Sequence, residues 1–537
     1  MNRHFNRAVW CAWILLTVSP EPTVGQIVNG SFESGGGSFA GWNTFGQASI
    51  EDATFTPAPA GAYQALARTA GVADNAAELS AFFGGVTLPP NQNGAATDGS
   101  GFRQRFSSSA GFLTFNWKFV TNESVISGFD SAFVVLDGQL FTLVRQVNTA
   151  QDLDTTNKPS TFNAGTPYNA GVVALSAGEH TLGFGAYDTS DNMVSSGLVI
   201  DNVVLIDLTL VIGLGDIDLG ILQTATRDVG GRLFNLRTQG AQPQPLNIGL
   251  AASSSAGKEV AGKEPIPPRG PCVEFFAQGD FSTTDRKDTG AALGYGSWTE
   301  AATAGVECSL SDTVTAGLAL GYVHNQTNAN NDAGDLYVDG LAVSTYASWS
   351  RNDLYVDGLY SFGHLENRIR RNIPSGTATA RTDSKGHAVQ LNAGYSFLKY
   401  PGIVSGPIAS MKYAHGDIDA FTDSAGLSVA SQSYDSLISE FGWQASFPMK
   451  TRRGRVTPQV HASWGHEYLN KSKTIGTTFA GLTALVSTPE PRTDYAAIGC
   501  GVLAEFGERF SVLLDYEANL SRNQTTHFVE LRAGFKF

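Results

Sequence analysis

Thr526-His527-Phe528-Val529-Glu530-Leu531-Arg532-Ala533-Gly534-Phe535-Lys536-Phe537 closes the chain on an aromatic residue. Val529, Leu531, Ala533, Phe535 and Phe537 fall on one side of an extended segment, and Glu530, Arg532, Gly534 and Lys536 on the other. Alternation over about ten residues, with charge on one face, reads as a strand crossing a bilayer in a closed barrel. Eleven further candidate strands precede it, beginning near Cys272, Ser297, Thr313, Leu336, Leu354, Gly386, Ser405, Tyr434, Val456, Thr493 and Phe510, with the last near Thr526. In the third, Leu318, Leu320 and Tyr322 oppose Gly317, Ala319 and Gly321. In the eighth, Phe441 and Trp443 oppose Glu440, Gly442 and Gln444, and in the eleventh Leu514 and Tyr516 oppose Asp515 and Glu517.

A soluble β-sandwich carries the same alternation, so periodicity alone does not decide. The strands are long, and their number is even, as a single-chain bacterial barrel requires. Short turns such as Ser309-Leu310-Ser311-Asp312 and Phe506-Gly507-Glu508-Arg509 alternate with longer polar stretches at 324–335, 369–385 and 471–492. That asymmetry fits periplasmic turns and external loops. Asp357, Glu440, Asp515, Glu517, Glu530 and Arg532 lie opposite the apolar stripe. They are assigned to a water-filled lumen, since charge on a lipid face is costly.

The N-terminus carries Arg3 and Arg7, an apolar run from Ala8 to Val18, and small residues around Gly25. This is the build of a secretory signal peptide over 1–25. The apolar run is too short for a permanent helical anchor, and no later segment offers eighteen consecutive apolar residues. A formal net charge of −14 with no basic stripe argues against nucleic acid as a partner. Four cysteines exclude a disulfide-dense scaffold or a cysteine metal cluster. Cys272 opens the first barrel strand and Cys308 closes the second. Both therefore lie near one rim, where a disulfide is geometrically possible and two unpaired buried thiols are the favoured alternative.

Residues 27–207 alternate short β-like runs with Gly, Asn, Asp and Ser turns; examples are Phe112–Phe119, Ser131–Leu136, Thr181–Phe184 and Leu198–Leu205. Asp137-Gly138 after Leu136 is a hairpin signal. The expected fold there is a β-sandwich or jelly roll. The period changes at 214–237, where Ile217, Leu219, Ile221, Leu222, Ala225, Val229, Leu233 and Leu236 outline an amphipathic helix that Gly230-Gly231 threatens to interrupt. Residues 238–270, rich in Gln, Pro, Ser and Gly, read as a linker. Residues 271–537 make the barrel. The expected fold class is thus all-β: a twelve-stranded antiparallel transmembrane barrel with helix or linker in its lumen, behind an N-terminal sandwich.

The segments Leu318-Ala319-Leu320-Gly321-Tyr322, Tyr355 to Gly363 (YVDGLYSFG), Ser431 to Leu437 (SQSYDSL), Val456-Thr457-Pro458, Trp464-Gly465-His466-Glu467 and Phe535-Lys536-Phe537 occur in the order of the autotransporter β-domain, the translocation unit of type V secretion. Region 271–537 resembles that family. The resemblance implies an outer-membrane barrel, a helix in its lumen and a passenger at the cell surface. It also implies Phe537, with Phe535 and Leu531, as the signal read by the barrel-assembly machinery, with periplasmic chaperones and outer-membrane lipid as further partners. The paired asparagines at which self-cleaving members cut have no counterpart in 217–270, and Asn330-Asn331 falls in an external loop.

The passenger resembles, more loosely, carbohydrate-binding jelly-roll modules, through Asn29-Gly30-Ser31-Phe32-Glu33, Gly41-Trp42 and Ile200-Asp201-Asn202-Val203. This resemblance implies neighbouring opening and closing strands, with Glu33 and Asp201 as candidate ligands of a structural Ca²⁺; turn-capping hydrogen bonds are the alternative. It also implies a glycan or host-surface ligand; Trp42, Tyr63, Phe82, Phe83 and Tyr168 are candidate stacking residues, with core packing an equal explanation for isolated aromatics. No credible nucleophile elbow, HExxH or phosphate loop is present, and His180 reads as a strand-end surface residue. The expected function is autotransport and surface display for adhesion or ligand binding. The alternatives are a soluble secreted binding protein and a surface enzyme with its site in the passenger.

Overall fold

The structure, a computed structural model, describes residues 27–69, 74–91, 94–108, 110–176, 178–189, 194–240, 273–288, 294–311, 313–351, 353–373, 376–396, 398–400, 403–507 and 509–536. The signal segment, Cys272, Phe537 and all of the linker beyond Gly240 lie outside them.

Period-two alternation in the C-terminal half folds as it reads. Twelve strands form an antiparallel meander: Val273–Arg286, Tyr295–Ser311, Val314–Ala329, Gly334–Arg351, Leu354–Ile373, Gly376–Tyr395, Ile403–Ile418, Gln432–Ser446, Gly454–Glu467, Asp494–Phe506, Phe510–Leu520 and Gln524–Lys536. The first pairs with the twelfth, from Glu274 opposite Lys536 to Arg286 opposite Gln524, which closes the barrel. Closure leaves no edge strand, as lipid demands. On the last strand Leu531 is 57% exposed while Arg532 is 2% exposed. Leu318, Leu341, Leu391, Phe441, Leu514 and their neighbours continue the exposed apolar belt around the outside.

Two of the expected loops are strand. Residues 324–329 continue the third strand, leaving only 330–333 as the connection. The stretch 369–385 is the top of a hairpin whose strands each run to 20 residues. At about 3.4 Å per residue each spans roughly 65 Å, well beyond a lipid-facing band of about 25 Å. The sixth strand accordingly starts at Gly376, ten residues before Gly386. Above the bilayer no apolar outer face is needed, and Arg381, Asp383 and Lys385 occupy it.

The N-terminal residues form two facing antiparallel sheets. One orders its strands Asn43–Phe45, Ala96–Ser108, Gly178–Thr189, Ser131–Leu136 and Gln139–Val144. The other orders Gln47–Asp52, Tyr63–Arg68, Ser196–Ile206 and Gly111–Thr121, the last also pairing Ala164–Gly165 and Asn169–Leu175. Phe102 and Phe184 of the first sheet meet Phe115 of the second in the sandwich core, with Phe115 and Phe184 4.9 Å apart. A short helix, α1 (Ala76–Phe82), covers the outer face of the first sheet through Leu79 and the adjacent Phe83. No helical period marks it in the sequence.

Asp137-Gly138 makes the expected hairpin turn, both residues having positive φ. His180 is not a surface residue: it is 5% exposed, against Phe106. Its ring nitrogens lie 2.8 Å from Asp137 Oδ2 and 2.9 Å from the Ser176 carbonyl, and Asp137 Oδ1 accepts the Thr181 N–H at 2.8 Å. Asp137→Ala removes the carboxylate from one nitrogen of a buried ring and from the Thr181 N–H, leaving the Ser176 carbonyl in place. It is expected to destabilise the N-terminal sandwich by about 1–3 kcal/mol, read as a lower denaturant midpoint. An unchanged midpoint would contradict this strap.

Candidate functional site: the barrel lumen and its seated helix

Helix α2, Thr209–Gly240, begins only two residues after the sandwich strand ending at Ile206. It starts five residues before the expected 214, and Gly230-Gly231 does not interrupt its backbone. Among the described side chains, Leu210, Val211, Ile212, Leu214, Ile217, Leu219, Ile221 and Leu222 are all buried. A helix apolar on every side at its start must be surrounded there. It descends into the barrel from the end that carries the long connections. The part of the chain shown inside the lumen is therefore helix.

The helix is pressed to one side. Inward-facing Val323, Leu336, Val338, Leu365, Ile369, Ala380, Ala388, Ala414 and Ile418 form one apolar cluster with it. The lumen face of the third to seventh strands is thus apolar in its outer half, not small or polar throughout as expected. Gly363, Gly386 and Gly416 stand in register on three neighbouring strands. Leu222 rests on this row: a Cβ at Gly386 would lie 2.2 Å from Leu222 Cδ1, and one at Gly363 2.5 Å from Cδ2. Higher up, Gly215 lies against the Tyr434 ring, with no room for a side chain.

Polar contacts fix the helix about its axis. Asp216 receives Arg286 Nη1 at 2.8 Å and Asn470 Nδ2 at 3.0 Å. Asp218 receives Asn367 Nδ2 at 3.2 Å and the Ser384 hydroxyl at 2.5 Å. Gln223 donates to Ser436 Oγ at 2.9 Å. Arg227 stacks over Phe528, 3.7 Å from its centroid, and lies 3.8 Å from Asp280. The opposite half of the lumen keeps an open pocket, bordered by Gly220 and Thr224 of the helix and by Thr299, Lys412, Tyr495 and Glu517 of the wall.

Every charge assigned to the lumen from the sequence lies on the inner side. Asp357 accepts the Ser348 hydroxyl at 2.7 Å, Glu440 pairs with Lys412 at 2.8 Å and accepts the Tyr495 hydroxyl, and Glu517 lies 2.9 Å from His461 Nε2. Asp515 accepts from Gln459 at 3.2 Å. Glu530 pairs with Arg532, whose Nε donates to Gln278 at 2.8 Å. Most of this network is wall to wall. The groups that hold the helix, Arg286, Asn367, Ser384, Ser436 and Asn470, were not singled out by sequence. Two carboxylates two residues apart in the otherwise apolar 210–222 stretch of the helix, and glycines at inward positions of adjacent strands, were the signals available.

Leu531 and Phe535 face outward on the last strand, 57% and 40% exposed; Phe537 lies outside the described residues. Cys308 is half-buried, opposite Val273, and has no disulfide partner among the described residues; Cys272 lies outside them. In the sandwich the opening and closing motifs adjoin, and the Val203 N–H donates to the Gly30 carbonyl at 2.9 Å. A Cβ at Gly30 would sit 2.0 Å from the Val203 carbonyl oxygen, which only glycine avoids. Glu33 Oε1 accepts the N–H groups of Ala62 and Tyr63, at 2.8 and 2.7 Å. Asp201 accepts those of Ala60 and Asn202, at 2.8 and 2.6 Å. Burial, with a small push from Glu33, raises the Asp201 carboxyl to about 7. The candidate stacking aromatics do not converge: Trp42 is in the core, Phe83 lies under α1, and Tyr168 packs on the outer face of the other sheet. Among the described residues no group of three metal-binding side chains is found.

A closed barrel with an outer apolar belt and a chain segment seated in its lumen defines a membrane translocator. Residues 275–517 match the family model of the Autotransporter beta-domain. Over 249 residues, 42% of this chain, it is 25% identical to Outer membrane protein A of Rickettsia rickettsii and equally to that of Rickettsia conorii. The chain spans only 11–12% of the length of these curated relatives. Among solved structures it is similar to the translocator domain of NalP from Neisseria meningitidis (17% identity, TM-score 0.42, 50% of this chain and 90% of that one) and to the β-domain of Bordetella Brka (18%, TM-score 0.42, 50% and 100%). The C-terminal half of this chain is an autotransporter β-domain of the type V secretion class. It resides in the outer membrane, with the N-terminal sheets at the cell surface.

The glycine row makes the helix seat testable. Gly386→Leu should displace Leu222 at an overpacking cost of about 1–3 kcal/mol. In full-length protein this is expected to lower the temperature at which the compact barrel band converts on gels. Gly296→Leu, where an added Cβ meets nothing within 4 Å, should leave it unchanged; equal shifts for both would refute the seat.

Proposed function

We propose that this chain exports, anchors and displays its own N-terminal β-sandwich as an adhesion or ligand-binding module. The observation that carries the reading is the unbroken path from sandwich strand to lumen helix, with two residues between them. The transport step is vectorial threading, without covalent chemistry at the described lumen residues. The outward alternation of Leu531 and Phe535 supports the last strand, with Phe537 beyond it in the sequence, as the element read by the barrel-assembly machinery after delivery by periplasmic chaperones. A glycan or other host-surface molecule is the proposed ligand class, on the resemblance of the opening and closing motifs alone. Protease added to intact cells should remove 27–207 and spare 273–536. Protection of the sandwich, or recovery of the chain as a soluble secreted species, would refute display. A glycan and surface-ligand array probed with whole cells addresses the binding role, and loss of all binding differences between wild type and a strain lacking 27–207 would refute it.

Structural calcium at Glu33 and Asp201 is a further part of the proposal, supported by the adjoining opening and closing motifs that carry them and by hard oxygen donors on an extracellular domain. Their backbone N–H partners offer a metal-free role, as clamps on the 60–63 turn. The two differ in their pH behaviour. A carboxyl raised from its ordinary 3.8 to about 7 favours the protonated fold. That stability is complete below pH 4 and is lost as pH rises through about 7. Sandwich melting should therefore fall between pH 5 and 8, less so in Asp201→Asn. Added Ca²⁺ should raise melting at pH 8 in wild type only. No calcium effect would refute the metal, and an unaltered pH profile in the variant would refute the buried acid.

A further inference from the structure

The connections at 419–431 and 468–493 are not free loops. They build a four-stranded sheet above the barrel from Phe421–Thr422, Ser428–Val429, Thr474–Phe479 and Leu482–Ser487. One face of this sheet, with the adjoining Leu427, is apolar and covered: Phe421, Leu427, Val429, Ile475, Ala484 and Val486 are all at most 8% exposed. What covers them is the base of the N-terminal sandwich together with the first turns of α2. Ala110, Phe112, Leu208, Leu210 and Val211 belong to the same buried cluster, with Val172 and Ile206 packed against it. The Phe112 and Phe479 rings lie 5.8 Å apart.

A buried charge stands at the junction. Arg371, 3% exposed, projects from the tall hairpin wall and donates to Asp423 Oδ2 through Nε at 3.2 Å and Nη2 at 2.5 Å. Its Nη1 reaches the Asp207 carbonyl at 3.5 Å, where the sandwich hands over to the helix. Asp423 Oδ1 in turn accepts the Ala425 and Leu427 N–H groups, at 2.9 and 3.0 Å. One guanidinium thus ties wall, loop sheet and passenger junction together, and an unpaired charge there would be costly.

We propose that this four-stranded sheet is a docking receptor for the base of the chain's own sandwich, so that the passenger is presented at one fixed orientation over the barrel mouth. Shape and chemistry select that occupant. The sheet's apolar face is filled by residues from three sandwich strands and the helix start, and a two-residue connection leaves no length for a swivel. Display alone requires neither the sheet nor Arg371. The inference rests on the display reading and extends it to orientation: a ligand site on the sandwich faces outward in a set direction.

The test uses full-length protein in native outer membranes, with native cysteines replaced by serine and spin labels at Thr142→Cys on the sandwich and Asp332→Cys on the barrel rim. A single narrow distance distribution is expected, and a broad one overturns the proposal. Ile475→Asp with Val486→Asp, which alters the loop sheet and leaves barrel and sandwich sequences intact, should broaden it. Arg371→Ala, which spares the apolar face, should broaden it less. A distribution that stays narrow in both variants overturns the receptor role. On intact cells a membrane-impermeant reductant should bleach the Thr142→Cys label. A label that resists it contradicts display itself, whatever the distance, so the two readings fail separately.

Discussion

Within a bilayer every backbone N–H and C=O must find a partner in the protein, and the rest of this structure depends on meeting that demand. The ladder between Val273–Arg286 and Gln524–Lys536 does so by joining the two ends of the meander. Once the sheet is closed, each strand has a lipid side and a lumen side, and the period-two pattern follows. Val529, Leu531 and Phe535 face lipid, while Glu530 and Arg532 must be neutralised inside, where each finds the other.

Closure also creates an interior too wide for side chains alone to fill. The helix resolves this asymmetrically. On the third to seventh strands the wall is apolar and glycine-lined, so that α2 packs there as it would in a soluble core. On the other side the wall keeps its charge pairs and an open pocket. Asp216 and Asp218 are affordable on a buried helix because Arg286, Asn470, Asn367 and Ser384 answer them. The same helix continues into the sandwich through Asp207 and Leu208, so threading, anchoring and display are linked by a single stretch of backbone.

The barrel was legible because lipid and water impose opposite demands on alternate residues, and eleven of twelve strand starts fell within three residues of the expected ones. The sixth was not, because Thr377 to Lys385 rises above the membrane, where the outer face is free to be polar. The start of α2 was hidden for a related reason. Thr209-Leu210-Val211-Ile212 is apolar all round, since wall and loop sheet enclose it, and it reads as more of the preceding strand. His180 looked exposed because its partner Asp137 lies 43 residues away, and only the sheet's register brings them together. The helix-holding residues Asn367, Ser384 and Asn470 are ordinary polar residues in a sequence; the seat exists only in the closed barrel. The passenger's ligand is not encoded in a recognisable constellation, and the aromatics that suggested one serve packing on separate faces.

The central claim is that α2 is seated in the lumen as part of the folded barrel. Backbone amide exchange of residues 212–224, measured on the full-length protein in outer-membrane vesicles, tests it most directly. The account predicts protection comparable to the barrel strands Leu354–Ile373 and Gly376–Tyr395 that form the seat, and lost together with theirs on unfolding. Exchange at the rate of an exposed helix, while those strands remain protected, would contradict it.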